Sequence, residues 1–294
     1  MGKHTKWAAV FATGVVVLGC VGGIGASALY WRSPPELHPK VRDLPAPIMA
    51  MERYGAVVDT HGRPYVYELT MDPGAVLVFG AEHIKDPKDA SLQTLRERTR
   101  AFKPTVVLIE GRLGFHVGTV NGAIRKLGET AAARTLASTY GARLYTWEPD
   151  RATDVAMMLE RFPQEQVALM YILRKYFSNY RFGKPDDPDA FVERTRRERT
   201  TWPGLEDSFD SVAEIDAAWQ RLCPGLPDWR ETSDEFGWPA PLASLADFNR
   251  DLRTTHLVRC VLDQCAKGER VLVVAGCSHA VRIDPTLRAA SSGE

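Results

Sequence analysis

Three short apolar runs in this chain each lead to a residue able to bind a cation, and those endings limit the folds open to it. Val76-Leu77-Val78-Phe79 runs into Gly80-Ala81-Glu82-His83. Val271-Leu272-Val273-Val274 runs, after Ala275, into Gly276-Cys277-Ser278-His279. Val106-Val107-Leu108-Ile109 ends on Glu110. A short, unbroken apolar run reads as a strand buried on both faces, the kind found in parallel sheets covered by helices. In such a sheet the carboxyl ends of the strands share one edge, and ligands bind in the crevice there. His83, Glu110 and His279 are therefore expected in one crevice, as ligands of a divalent metal. A single Gly-x-x-His also fits a turn glycine followed by a structural histidine. The weight rests on two copies sharing the same place after a strand.

The segments between these runs alternate in type. A helix is expected from about Ser91 to Phe102, with Leu92, Leu95, Thr99 and Phe102 at helical spacing, and another near Val120 to Tyr140, followed by a strand from Arg143 to Trp147. Alternating strand and helix predicts parallel βαβ units with right-handed connections. Ahead of them, Ala56 to Val58 and Pro64 to Leu69 read as two strands around the turn-rich Asp59-Thr60-His61-Gly62, a hairpin signature. After Glu148-Pro149-Asp150 the strands stop. Residues from about 151 to 241 read as a helical insert covering the sheet's carboxyl edge, with a helix at Gln166 to Tyr180 whose apolar stripe is Leu169, Ile172, Leu173, Tyr176 and Phe177. The loops Thr201-Trp202-Pro203-Gly204 and Phe236-Gly237-Trp238-Pro239 place aromatics either beside a substrate groove or as plugs under the loops. A long helix from Leu242 to Ala266, stopped by Lys267-Gly268, leads into the last strand. The expected class is α/β: a mostly parallel sheet flanked by helices, with a helical insert and an N-terminal membrane helix.

That last element rests on Lys3 and Lys6 followed by the apolar stretch Trp7 to Trp31. About 20 apolar residues span a bilayer, and lysines inside put the remainder outside. A cleaved secretory signal has the same design, and Ala26-Ser27-Ala28 supplies a cleavage site. Lipid attachment at Cys20 is a third option, although the apolar run continues past it. Residues 1–31 are read as a signal anchor or signal peptide, 32–50 as a proline-rich tether and 51–288 as the α/β domain. The bilayer is thus an expected partner through residues 7–31, with the domain on the extracytoplasmic side, or secreted if the signal is cut. The 37 basic and 37 acidic residues balance without long runs of one sign, which excludes the footprint of a nucleic-acid binder. Cys223, Cys260, Cys265 and Cys277 form no Cys-x-x-Cys, so no structural zinc is expected.

The same residues resemble a family. The order Gly-x-x-His, strand ending in Glu, and late Gly-x-x-His is similar to that of the TraB/Tiki (GumN-like) superfamily of metal-dependent hydrolases. The likeness is carried by "LVFGAEH" at 77–83, "KPTVVLIEGR" at 103–112 and "RDLRTTHLVRCVLDQCAKGERVLVVAGCSH" at 250–279, under a fifth of the chain. An Arg-bearing helix precedes the last strand in that family, and Arg250 and Arg253 match it here. The family's late motif more often reads Gly-x-Gly-His, and Ser278 stands at the second glycine. The resemblance implies an α/β fold and a divalent-metal hydrolase, peptidase-like in character.

Two neutral imidazoles and a carboxylate suit zinc, cobalt or manganese with one position left open. Such a cation activates water and polarises a carbonyl, which points to a peptide or a small ester or amide as substrate. The two motif glycines permit a tight turn and close backbone approach. Glu82 is a candidate fourth ligand or general base, with a solvated loop charge as the alternative. Arg250 and Arg253, one helical turn apart, are candidates for stabilising an oxyanion or binding a substrate carboxylate, or else pair with surface acids. Cys277 beside His279 makes a poor thiol dyad, because the two are close neighbours on one loop and no Asn or Asp is identifiable to orient them. The same histidines would equally serve a membrane-tethered module that holds a metal or haem without catalysis.

Overall fold

The structure is a computed structural model and describes residues 29–31, 33–114, 116–180, 183–235 and 237–292. Strands β1 (Leu29–Trp31) and β5 (His116–Gly118) pair with each other as an antiparallel ribbon. The main sheet holds β2 (Tyr65–Met71), β3 (Gly74–Ala81), β4 (Val106–Ile109), β6 (Arg143–Thr146) and β7 (Arg270–Gly276). Their order is β2-β3-β7-β4-β6, with β2 antiparallel to β3 and every other pairing parallel. The expected mostly parallel α/β sheet is therefore present. The last strand in sequence, β7, lies between β3 and β4. The two Gly-x-x-His strands are thus immediate neighbours, and the Glu110 strand flanks them.

Helices cover both faces. On one side α2 (Ala90–Phe102), α3 (Val120–Leu127) and α4 (Glu129–Tyr140) pack on Leu77, Phe79, Ile109 and Val274 through Leu92, Leu95, Phe102 and Ile124. On the other, α9 (Ala240–Cys265) and α10 (Cys277–Ser291) set Leu257, Val261 and Ile283 against Val76, Val78, Val271 and Val273. Burial on both faces is why β3, β4 and β7 read as continuous apolar runs rather than alternating ones.

Some expectations require correction. Ala56 and Val57 belong to a short helix, α1 (Met51–Val57), and the hairpin is instead β2 with β3, joined across Asp72-Pro73. The helix expected from 120 to 140 is broken at Gly128, whose φ of +69° favours glycine and whose added Cβ would meet the Ile84 carbonyl oxygen at 2.8 Å. The proline-rich stretch after residue 32 is tied along the domain: Thr146 donates its N–H to the Pro35 carbonyl, Lys40 donates its own to Asp263, and the Thr286 hydroxyl donates to the Pro47 carbonyl.

Helices α5 (Arg151–Leu159), α6 (Gln164–Tyr180), α7 (Pro188–Arg199) and α8 (Val212–Leu222) occupy the region expected to be helical. They enclose a core of their own built on Ile172, Phe177, Trp202, Trp219 and Trp229, and the amino-terminal half of α9 closes it with Leu242 and Leu245. Trp238 packs against Phe177 with ring centroids 5.0 Å apart. Both loop tryptophans therefore serve this core, although each also borders a cavity. Among the described residues no helix is long and apolar enough to cross a membrane. The expected membrane segment lies outside the described residues except for Leu29–Trp31, which form β1.

Candidate metal and hydrolytic site

The register of three adjacent strands decides what meets at the carboxyl edge. Ala81 pairs with Gly276, and Ile109 with Val274, so the chain leaves β3, β7 and β4 within about one residue of the same level. His83, Glu110 and His279 come directly after these strand ends, and all three line one cavity of about 760 Å³. The two motifs leave their strands differently. His83 sits at φ +59°, in the left-handed region that few non-glycine residues adopt. After β7, helix α10 begins at once with Gly276 as its N-cap, which puts His279 in the first helical turn rather than on a loop. Ser278 is thus helical and needs no glycine. Neither motif glycine supplies a left-handed turn: Gly80 lies within β3, and Gly276 has φ −57°. Their role is close approach. A Cβ on Gly80 would meet the Ala280 Cβ at 2.7 Å, and one on Gly276 would meet His83 Nε2 at 3.0 Å and Glu110 Oε2 at 3.4 Å.

Each imidazole is held from behind at Nδ1. His83 Nδ1 lies 3.1 Å from the carboxylate of Glu129, a buried residue. His279 Nδ1 lies 2.8 Å from Thr254 Oγ1, whose single proton is given to the Arg250 carbonyl at 2.6 Å. His279 Nδ1 must therefore be the donor, which leaves Nε2 with its lone pair facing Glu110 Oε1 at 3.9 Å. The His83 ring, held at Nδ1 by Glu129, turns its Nε2 towards Gly276 and Glu110. Outer carboxylate and hydroxyl partners of this kind set the tautomer and orientation of metal-binding histidines.

Glu110 accepts the Gly276 N–H at 2.7 Å and the Arg253 guanidinium at 3.1 Å. Burial opposes its ionisation, but His279 in the protonated form it takes in acid, Arg253, His83 and the Gly276 N–H outweigh this and hold the carboxyl far below the usual range. His279 is pushed down to about 3, mainly by burial. It is therefore neutral at physiological pH, and Arg253 is the cation that keeps Glu110 ionised. Arg253 also grips Glu148 with a two-pronged contact at 2.6 and 2.7 Å, over the face of Trp147. Its Nε and Nη2 edges are thus taken by two acids of the protein.

The other candidates lie at the rim. Glu82 is exposed and pairs with Arg63 at 3.2 Å. Arg250 pairs with Asp247 at 2.7 Å and does not join Arg253. Cys277 lies nearest His61, with Sγ 3.8 Å from Nδ1, and burial raises its thiol pKa, which does not favour the nucleophilic thiolate. Glu129, Thr254 and Glu148 are site residues that the pattern of the sequence did not single out. Thr254 had a signal, because it stands directly after Arg253. Glu148 had one too, standing just beyond the fourth parallel strand as Glu110 stands beyond its own. Glu129 had none.

No protein-family model, no curated protein and no solved structure matches the chain.

Among the described residues no three His, Cys, Asp or Glu side chains stand close enough together to hold a metal as they are placed. His83, Glu110 and His279 converge on one cavity without closing to ligating spacing. Their donor types nevertheless fit a divalent cation: two imidazole Nε2 atoms turn towards an ionised carboxylate.

Proposed function

We propose that this chain is a divalent-metal-dependent hydrolase of peptidase-like character, anchored to a membrane by the apolar residues 7–28, ahead of β1, with its domain on the extracytoplasmic side. The observation that carries the reading is the pair of imidazoles whose Nδ1 atoms are occupied by Glu129 and Thr254 and whose Nε2 atoms turn to Glu110. His83, Glu110 and His279 would hold the cation. Zinc, cobalt or manganese supplies a Lewis acid for a scissile carbonyl and an acidified water when bound there.

The chain's own residues prepare the site. Arg253 keeps Glu110 charged and, through Glu148, fixes it to the end of β6. The first turn of α10 holds His279 beside the edge of the Trp147 ring, centroids 5.1 Å apart, where bulk water is largely excluded. His83 is the more exposed of the two histidines, which leaves the open side of the cavity on its flank. Glu82, on that same rim, is a carboxylate that would take a proton from an entering water once released from Arg63.

The test uses full-length protein in detergent. Zinc, cobalt and manganese binding is measured by calorimetry, and turnover by a library of peptides and small esters with and without chelator. His83→Ala and His279→Ala should each abolish metal binding and hydrolysis, while Cys277→Ser leaves both intact. Unchanged metal binding in the histidine variants would remove the site. Metal or haem binding by the parent without turnover of any substrate would leave a tethered binding module in place of an enzyme.

A further inference from the structure

Beyond Arg253 the cleft continues into a second cavity of about 410 Å³, and Arg174 and Arg253 line both compartments. The charge on its walls is one-sided. Arg253 is committed to Glu110 and Glu148, and Arg112 to Glu36 and the Pro149 carbonyl. That leaves Arg151, Arg174, Lys175 and Arg199 facing only Asp154 and Glu198. Glu198 is already shared between Arg199 at 2.7 Å and Lys175 at 3.9 Å. Asp154 is occupied by the Tyr171 hydroxyl at 2.6 Å and the Asn249 amide at 2.9 Å.

Among the described residues neither Arg151 nor Arg174 has a carboxylate partner within ion-pairing distance. Arg174 lies deepest, and among the described residues its guanidinium makes a single bond, 2.6 Å to the Asn249 side-chain oxygen. Burial and the neighbouring Arg253 work against its charge and lower its pKa, and the pull of Glu148 and Asp154 offsets this only in part. Arg199 lies 4.1 Å and Arg151 4.9 Å from the ring centre of Trp202, so two guanidiniums are held on one aromatic platform with hydrogen-bonding edges unspent. The Arg199 Nε is buried without a partner. Crowded, partly desolvated cations with idle donors are costly unless something negative joins them. Planar guanidinium forks match carboxylate and phosphate oxygens in pairs.

We propose that this compartment binds a small oxyanion and that the substrate acted on next door carries a carboxylate or phosphate group seated against Arg174, Arg151 and Arg199. The second half rests on the hydrolase reading, whereas the anion site stands without it. Arg174 links the compartments, so an acidic group held there would place the bond to be cut towards Glu110 and the histidines.

Inorganic phosphate and succinate serve as probes, titrated calorimetrically into full-length protein at low ionic strength with chelator present. At least one should bind, and its affinity should fall as salt rises. Arg174→Gln and, at the accessible rim, Arg151→Gln should each weaken that probe by about tenfold or more, the loss expected for a charge-assisted pair of hydrogen bonds. His83→Ala should bind it as the parent does. A preference for phosphate or for succinate identifies the group. If neither probe binds the parent, or if both arginine variants bind like the parent, the proposal is overturned. Because the titration needs no metal, its failure beside intact metal-dependent turnover would sink the anion site alone. Anion binding in a protein that never binds metal would sink the hydrolase reading and leave the anion site standing.

Discussion

Replacing Arg253 by Met strips the positive charge from two buried carboxylates at once. The Arg253 side chain is 8 % exposed, those of Glu148 and Glu110 10 % and 20 %, and three charge-assisted bonds of 2.6, 2.7 and 3.1 Å join them. Breaking a buried pair from one side costs about 3–5 kcal/mol, and two orphaned acids put the loss at the upper end of that range. The direction of the shifts sets the pH dependence. In the parent both carboxyls are held below the ordinary value of 4.5, so their contribution is present above the unfolded pKa and is lost only as pH falls towards the depressed folded values. In the variant burial acts without Arg253 and raises both carboxyls. The penalty is then complete at high pH and relieved as they protonate in the folded state. Urea unfolding in the presence of chelator should therefore show the deficit shrinking from about pH 8 to about pH 5. The double variant Arg253→Met, Glu148→Gln should recover about 2 kcal/mol at the higher pH, since only one buried charge remains unpaired. A deficit below about 1 kcal/mol, the scale of a surface pair, or one that is the same at both pH values, would refute this account of the clamp.

Four further outcomes are expected. Gly276→Ala should fold with a loss of under about 1 kcal/mol, because its backbone angles suit any residue, yet its Cβ forces the His83 ring away from Glu110 and should weaken metal binding measured by calorimetry; Gly80→Ala should instead cost about 1–3 kcal/mol in thermal unfolding, since its Cβ collides with Ala280. Thr254→Val and Glu129→Gln each remove the partner that orients one imidazole, and should lower metal affinity about 10- to 100-fold while far-UV circular dichroism stays that of the parent. In cells, the apolar residues 7–28 should keep the chain in the carbonate-resistant membrane fraction with its domain open to external protease; a shortened soluble product would show a cleaved signal instead.

Apolar runs with cation-binding ends made the sheet and the outline of the site legible in the chain itself. A strand buried on both faces has to be apolar throughout, and the residues just past its end have to lie at the sheet's edge. On those grounds β3, β4 and β7 and the meeting of His83, Glu110 and His279 were readable from composition along the chain. The helix at 164–180 was legible for a similar reason, since its stripe repeats at helical spacing. Residues 56–58 misled because a β-branched pair beside turn residues looks alike in a strand and in a short helix end, and no local signal separates them.

Tertiary structure decided the rest. That β7 inserts between β3 and β4 is a matter of which edges pair over nearly two hundred residues, and no local pattern encodes it. The same insertion makes Gly80 and Gly276 contact glycines rather than turn glycines, and moves the left-handed backbone onto His83. Arg253 could be picked out as an arginine on the right helix, but whether its fork faces a substrate or two of the protein's own acids depends on where Glu148 ends up, 105 positions away. Glu129 behind His83 and the arginines around Trp202 are the same kind of fact. The chain by itself settles which side chains are buried and which lie at element ends, because period and hydrophobicity dictate both; the partner each polar group finds is set by packing between distant elements, where desolvation makes every unpaired charge costly.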